Sequence, residues 1–209
     1  YGRLFFANND GVLYAINAKT GALAWRFRSE RCQAMSPAVD ANTIYATFLN
    51  KPPCNAKSDK LKGEVIAFWA GSGRVRWRKT IGPSESSPVV RDGRVYVGAF
   101  DGRVYCLDLA TGARRWRYDT EGTSLQSGNY GFDRRSIQSS PAVADGAVYV
   151  GARDGFLYAL DADAGTPRWR YDHKVSWVIT SPAVDGGVVY AGSSDGHFTQ
   201  AVDAATGAE

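Results

Sequence analysis

One eleven-residue motif recurs along this chain. Ala15-Ile-Asn17-Ala-Lys-Thr20-Gly21-Ala-Leu-Ala-Trp25 returns as Cys106-Leu-Asp108-Leu-Ala-Thr111-Gly112-Ala-Arg-Arg-Trp116 and as Ala159-Leu-Asp161-Ala-Asp-Ala-Gly165-Thr-Pro-Arg-Trp169. A degraded copy is Ala67-Phe-Trp69-Ala-Gly-Ser72-Gly73-Arg-Val-Arg-Trp77, and a fifth copy runs from Ala201 through Asp203 to Gly207. Each copy after the first is preceded by a Ser-Pro pair, at Ser36, Ser87, Ser140 and Ser181, so the spacings are 51, 53 and 41 residues. A period of this order marks stacked supersecondary units, each too small to bury its own faces. The units run over about 1–28, 29–80, 81–119, 120–172 and 173–209 and form one domain.

Within a unit the local signals are strand and turn. In the third, Val89-Val90 reads as a strand, Asp92-Gly93 as a hairpin turn and Val95 to Gly98 as a second strand. Asp101-Gly102 turns the chain again, Val104 to Asp108 follows, and Thr111-Gly112 leads into Arg115 to Tyr118. Gly accepts the positive φ that tight hairpin turns require. The product is a four-stranded antiparallel meander, strands A to D. The chain is therefore expected to be all-β, with four-stranded blades arranged radially so that neighbours cover both faces of each sheet. Counting from Tyr1 in a strand B to Gly207 before a strand D gives 18 strands, or about four and a half blades, incomplete at both ends. Such an arc needs further blades or self-association to close. Strand D is the outermost edge and carries Arg26, Arg28, Arg76, Arg78, Lys79, Arg115, Arg117, Arg168 and Arg170. Charge there guards an exposed edge against pairing; a phosphate-binding stripe is the other reading.

The motif resembles the quinoprotein-type, pyrroloquinoline quinone (PQQ)-like β-propeller repeat, in style close to the non-catalytic propeller lipoprotein of the outer-membrane β-barrel assembly machine. The resemblance covers essentially the whole chain and implies a propeller closing at seven or eight blades. It also implies that Trp25, Trp77, Trp116 and Trp169 dock between blades beside Gly21, Gly73, Gly112 and Gly165. The departures are Cys106 for Ala, Ala164 for Thr and Trp69 for Asp, so the second blade's packing is the one expected to differ.

Composition narrows the function. The net charge is +4, with 25 basic residues spread along the chain, and the segregated basic stripe of a nucleic-acid binder is absent. The apolar runs are too short to span a bilayer. The chain begins at Tyr1 and its single Met is Met35, so sequence upstream is expected. No CxxC, Walker loop, nucleophile elbow or HExxH occurs. His173 and His197 lack a metal spacing and are expected at the surface. Asp161 and Gly165 are explained by the repeat rather than by a calcium loop, since position 172 is Asp and not Glu.

Strand polarity places the D–A and B–C connections on one face. Both large insertions, 48–63 and 120–139, fall there. Enlarged loops on one face of a repeat protein are where binding sits. The candidate binding face comprises Lys51, Lys57, Lys60 and Lys62 in the first insertion, Arg134 and Arg135 in the second, and Trp177 in a third connection. Cys32 and Cys54 lie on this face in neighbouring strands, and a disulfide is expected, which places the chain outside the cytoplasm. Cys106 fills a small-residue slot and is expected as a buried thiol.

Enzymes of the resembled family hold PQQ and Ca²⁺ in the axial funnel, and many have a disulfide between adjacent cysteines. This sequence has no adjacent Cys pair, and no catalytic, cofactor or metal residue transfers to it. The leading expectation is a non-catalytic extracytoplasmic scaffold with a protein or peptide partner. The alternatives are part of a PQQ- and calcium-dependent dehydrogenase, or a sensor propeller of a receptor or kinase.

Overall fold

In a computed structural model, residues 2–32, 34–54, 60–125, 133–174 and 176–209 are described. They form five antiparallel sheets in chain order. The first holds β1 (Arg3–Ala7), β2 (Val12–Asn17) and β3 (Leu23–Arg28). The second holds β4 (Ala38–Asp40), β5 (Thr43–Phe48), β6 (Gly63–Trp69) and β7 (Val75–Ile81). The third holds β8 (Val89–Arg91), β9 (Arg94–Gly98), β10 (Arg103–Asp108) and β11 (Arg114–Asp119). The fourth holds β12 (Ala142–Ala144), β13 (Ala147–Gly151), β14 (Phe156–Asp161) and β15 (Pro167–Asp172). The fifth holds β16 (Ala183–Asp185), β17 (Val188–Gly192) and β18 (Thr199–Asp203). Within the described residues the only helical segment is a 3₁₀ turn over Glu121–Ser124. The fold is all-β, an arc of propeller blades with three-stranded sheets at each end.

The hairpins follow from local chemistry. In the third blade Arg91 pairs with Arg94, leaving Asp92 and Gly93 as a two-residue loop with φ of +48° and +72°. Asp145 and Gly146 repeat this in the fourth. Two positive φ values define the turn whose twist matches the flanking strands. The short strands β4, β8, β12 and β16 start after the Ser-Pro pairs and adjoin one another at the inner side of the arc. The Ser140 hydroxyl accepts the Ser87 N–H at 2.9 Å, and the Ser181 hydroxyl accepts the Ser140 N–H at 3.0 Å. The Ser-Pro serines thus join inner strand to inner strand.

The blades are joined by the tryptophans. A register shift recurs between the C and D strands and sets each Trp opposite a small residue: Ala15 to Trp25, Ala67 to Trp77, Cys106 to Trp116 and Ala159 to Trp169. Each indole then lies on the glycine of the next blade's motif. A Cβ placed on Gly73, Gly112, Gly165 or Gly207 would come within 2.5–2.7 Å of the rings of Trp25, Trp77, Trp116 and Trp169 respectively. Each indole N–H donates to the next blade, to Ala70 O, Leu109 O, Ala162 O and Ala204 O at 2.9–3.1 Å. A strand-B tyrosine shares the acceptor: Tyr45 with Leu109 O, Tyr96 with Ala162 O and Tyr149 with Ala204 O. In the first blade Phe5 holds the tyrosine position against Trp25, and the Arg3 guanidinium supplies the second donor to Ala70 O at 2.8 Å.

The second blade is intact despite its departures. Trp77 is buried and docked like its sisters. Cys106 is buried in the small-residue slot, and burial pushes its thiol up to about 12. Cores made of Val, Leu, Ile, Tyr and Ala fill the spaces between successive sheets, as where Tyr96, Val104 and Trp116 meet Val148, Val150 and Leu160. At the two ends of the arc apolar side chains are exposed, Leu4 and Phe6 on β1 and Tyr190 on β17.

Because Trp116 combines a buried ring with an inter-blade hydrogen bond, Trp116→Ala is expected to destabilise the chain by about 3–5 kcal/mol. Trp116→Phe, which keeps an aromatic ring but removes the N–H donor, is expected to lose about 1–2 kcal/mol. Urea unfolding followed by far-ultraviolet circular dichroism measures both. Equal losses would show that ring burial contributes nothing beyond the hydrogen bond.

Candidate functional site

The connections after strands D and B form one face. Cys32, in the connection from β3 to β4, is disulfide-bonded to Cys54 in the β5–β6 insertion, across a separation of 22 residues. The Cys32 N–H donates to Asn50 O at 2.9 Å. Closing a loop of this length is worth about 3 kcal/mol in the chain-entropy account. Arg31 adds a second tie. Its Nε is 2.7 Å from Glu64 Oε1, and its Nη1 donates to Lys62 O. Glu64 is buried and also faces Arg78 at 3.4 Å. A buried carboxylate so paired is strongly destabilised by loss of its partner, so the insertion is clamped at both ends. Lys51, Lys60 and Lys62 are exposed on it, and Lys51 pairs with Glu30 at 2.6 Å. Lys57 lies outside the described residues.

The described ends of the second insertion, 120–125 and 133–139, pack on the fourth blade. Buried Asp154 accepts the Gly122 N–H at 2.9 Å, the Tyr158 hydroxyl at 2.8 Å and the Phe156 N–H at 3.1 Å. Burial pushes the Asp154 pKa up, against these hydrogen bonds, which favour the charged form. Arg134 Nη2 reaches Asp154 O at 3.5 Å, and Arg135 Nη2 reaches Leu125 O at 3.3 Å. Trp177 is half-buried with the Arg153 guanidinium 4.9 Å from its ring centroid. The sequence reading missed Arg153 and Asp154. The recurring Asp-Gly pair was a signal for a turn; the carboxylate also accepts the hydroxyl of the tyrosine four residues on, Tyr158 at Asp154 and Tyr105 at Asp101.

His173 departs from expectation. It is buried, because the residue following strand D is where the fourth and fifth blades abut. Its ring stacks on Phe198 at 5.6 Å and meets the edge of Tyr171 at 5.3 Å. Neither ring nitrogen has a hydrogen-bond partner among the described residues. His197 is exposed.

Among the described residues, five of the nine strand-D basic residues pair with a carboxylate, Arg78 with Glu64 among them. Arg115 pairs with Asp108 at 2.6 Å, Arg117 with Asp119 at 2.8 Å, Arg168 with Asp161 at 2.9 Å, and Arg170 with Glu121. This favours edge protection over an anion-binding stripe. The residues described do not fit a calcium-quinone centre either. No group of three or more His, Cys, Asp or Glu among them is placed to hold a metal ion, and Glu85, on the inner side of the D–A face, is engaged by Gln138 Nε2 at 2.8 Å. No step through such a group is derived.

Burial depresses the His173 pKa below its ordinary 6.5, although Asp172 and Glu209 act in the other direction. The unfolded chain therefore binds the proton more readily, and stability present above pH about 6.5 is lost as pH falls through the folded-state value. His173→Phe is expected to flatten this part of the profile. Thermal unfolding from pH 8 to pH 5 checks it, and identical slopes for both proteins would contradict it.

Comparisons with known proteins agree with this architecture. A family profile described as outer membrane protein assembly factor BamB matches residues 9–134 and 124–209. A quinohemoprotein alcohol dehydrogenase ADH-IIG from Pseudomonas putida is 38% identical over 100 residues, 46% of this chain and 14% of the relative. An outer membrane protein assembly factor BamB from Xanthomonas campestris is 35% identical over 116 residues, 56% of this chain and 26% of the relative. The crystal structure of BamB from Moraxella catarrhalis superposes with a TM-score of 0.77 at 21% identity, covering 99% of this chain and 60% of that one. The chain thus spans less than two-thirds of the length of these relatives. With the motif, the docked tryptophans and the profile in agreement, this chain belongs to the PQQ-like β-propeller family of the outer membrane protein assembly factor BamB.

Proposed function

We propose that the chain is a non-catalytic extracytoplasmic propeller scaffold that presents the D–A and B–C loops to a protein partner. The observation that carries this reading is the clamped lysine insertion. A disulfide and a buried Arg31–Glu64 pair hold the described parts of the loop, where Lys51 and Lys62 are exposed, although neither is needed to build a blade. A loop ordered before binding loses less entropy on docking. The repeat's Trp and Ser side chains are engaged in holding blades together, so little reactive chemistry is left over. The disulfide supports an oxidising compartment, and the family profile, described as an outer-membrane assembly factor, supports the same location. No cofactor is part of this reading, and further blades or a second copy cover Leu4, Phe6 and Tyr190.

The identity to a quinohemoprotein alcohol dehydrogenase over 100 residues favours a second reading, in which the chain is the non-catalytic arc of a PQQ- and calcium-dependent enzyme. One pair of experiments separates them. A photo-crosslinking residue is placed at Lys51, Lys62 or Arg134, and as a control at Arg91, in the protein as expressed in its own cells. The scaffold reading expects one outer-membrane assembly protein to be captured from the first three positions and not from Arg91. Reconstitution with PQQ and Ca²⁺ is expected to give no dye-linked alcohol oxidation. Turnover above background, or equal capture from Arg91, would overturn it.

A further inference from the structure

The opposite face, formed by the A–B and C–D turns, carries one place where the repeat is broken and not repaired. In the third, fourth and fifth blades the motif Asp caps its own C–D turn. Asp108 Oδ1 accepts the N–H groups of Ala110 and Thr111, Asp161 those of Asp163 and Ala164, and Asp203 those of Ala205 and Thr206. In two of them the carboxylate also pairs with the arginine just before the docking Trp, Arg115 to Asp108 and Arg168 to Asp161. The second blade keeps the turn's backbone, with the Gly73 N–H donating to Trp69 O at 2.8 Å. It places Trp69, exposed, where that Asp would stand. The equivalent arginine, Arg76, is left without a carboxylate among the described residues. Its guanidinium lies 4.3 Å from the Trp69 ring centroid and donates to Thr43 Oγ1.

A groove of about 350 Å³ opens beside this pair, between the second and third blades, with Arg76, Thr43, Tyr45 and Asp40 on one wall and Asp108, already paired with Arg115, on the other. It is open because the cross-blade bridge found beside it has no counterpart here. At the matching position of the third blade, Arg94 reaches across to Asp163 of the fourth at 2.5 Å. In the second blade that position is Thr43, which is too short to cross.

We infer that this groove is a second docking site, on the face away from the disulfide, for an extended peptide segment of a partner protein that carries a single carboxylate. The partner's Asp or Glu takes the place of the missing motif Asp. It pairs with Arg76, whose guanidinium is held flat by Trp69 and presents its donors in a plane that matches a carboxylate. An apolar side chain beside the carboxylate lies against the indole. Asp40 and Asp108 in the same lining disfavour a polyanion, so the segment continues with neutral or basic residues.

The test uses the full chain and a pair of synthetic nonapeptides. Both are built on Gly and Ser around a central Leu-Glu-Lys or Leu-Gln-Lys. The readout is the Trp69 indole N–H resonance, assigned by its loss in Trp69→Phe. The glutamate peptide is expected to shift this resonance and the glutamine peptide to bind at least about fivefold more weakly, the loss of one charge-assisted pair. Arg76→Gln is expected to abolish the difference. Trp69→Asp supplies the missing carboxylate in cis, so it is expected to remove binding while holding or raising the melting temperature. Three outcomes would each overturn the inference: equal shifts with both peptides, no shift with either at millimolar concentration, or a lowered melting temperature for Trp69→Asp.

Discussion

The arc depends on one contact, an indole laid on the glycine of the next blade with its N–H on the carbonyl three residues before that glycine. It explains three features of the motif together. The glycine must lack a side chain, because a Cβ at Gly112 or Gly165 would stand 2.5 Å from the ring. The residue opposite the Trp across the C–D bulge must be small, which Ala15, Ala67, Cys106 and Ala159 satisfy. The acceptor carbonyl must be fixed in place, and a tyrosine or Arg3 shares it. Stability in such an array is close to a sum of blade terms and nearest-neighbour terms, and this contact is the nearest-neighbour term.

What was legible in the sequence was what the chain encodes locally. The two-residue turns at Asp92-Gly93 and Asp145-Gly146 announce themselves because few residues accept positive φ in succession. The Cys32–Cys54 pairing was legible from strand order, since both sit at the same end of adjacent strands. The second blade's departures were visible, but not that its packing would survive them. Trp77 docks through Gly112 and Leu109, which belong to the third blade, so a change at Trp69 leaves the contact untouched.

The rest depended on tertiary placement. His173 follows a polar strand end and looks exposed, and only the approach of Phe198 from the fifth blade buries it. Asp154 stands in an Asp-Gly pair like those read as turns, yet it also holds Gly122, 32 residues earlier in the chain. The groove beside Arg76 exists because Thr43 stands where a sister blade has a bridging arginine, a comparison that needs the register of both sheets. Residues that build the repeat were thus readable from the repeat. Residues that interrupt or reuse it carry the candidate sites, and their roles emerge only when blades are set side by side.

Hydrogen exchange at the four indole N–H groups tests most directly whether inter-blade docking holds the array together. Trp77 and Trp116 are buried between complete blades, whereas Trp25 and Trp169 are half-buried and each adjoins a three-stranded sheet. The account predicts the slowest exchange at Trp77 and Trp116, with Trp25 and Trp169 opening more readily as the ends of the array. Four indoles exchanging together at the rate of global unfolding, or Trp25 outlasting Trp116, would contradict it.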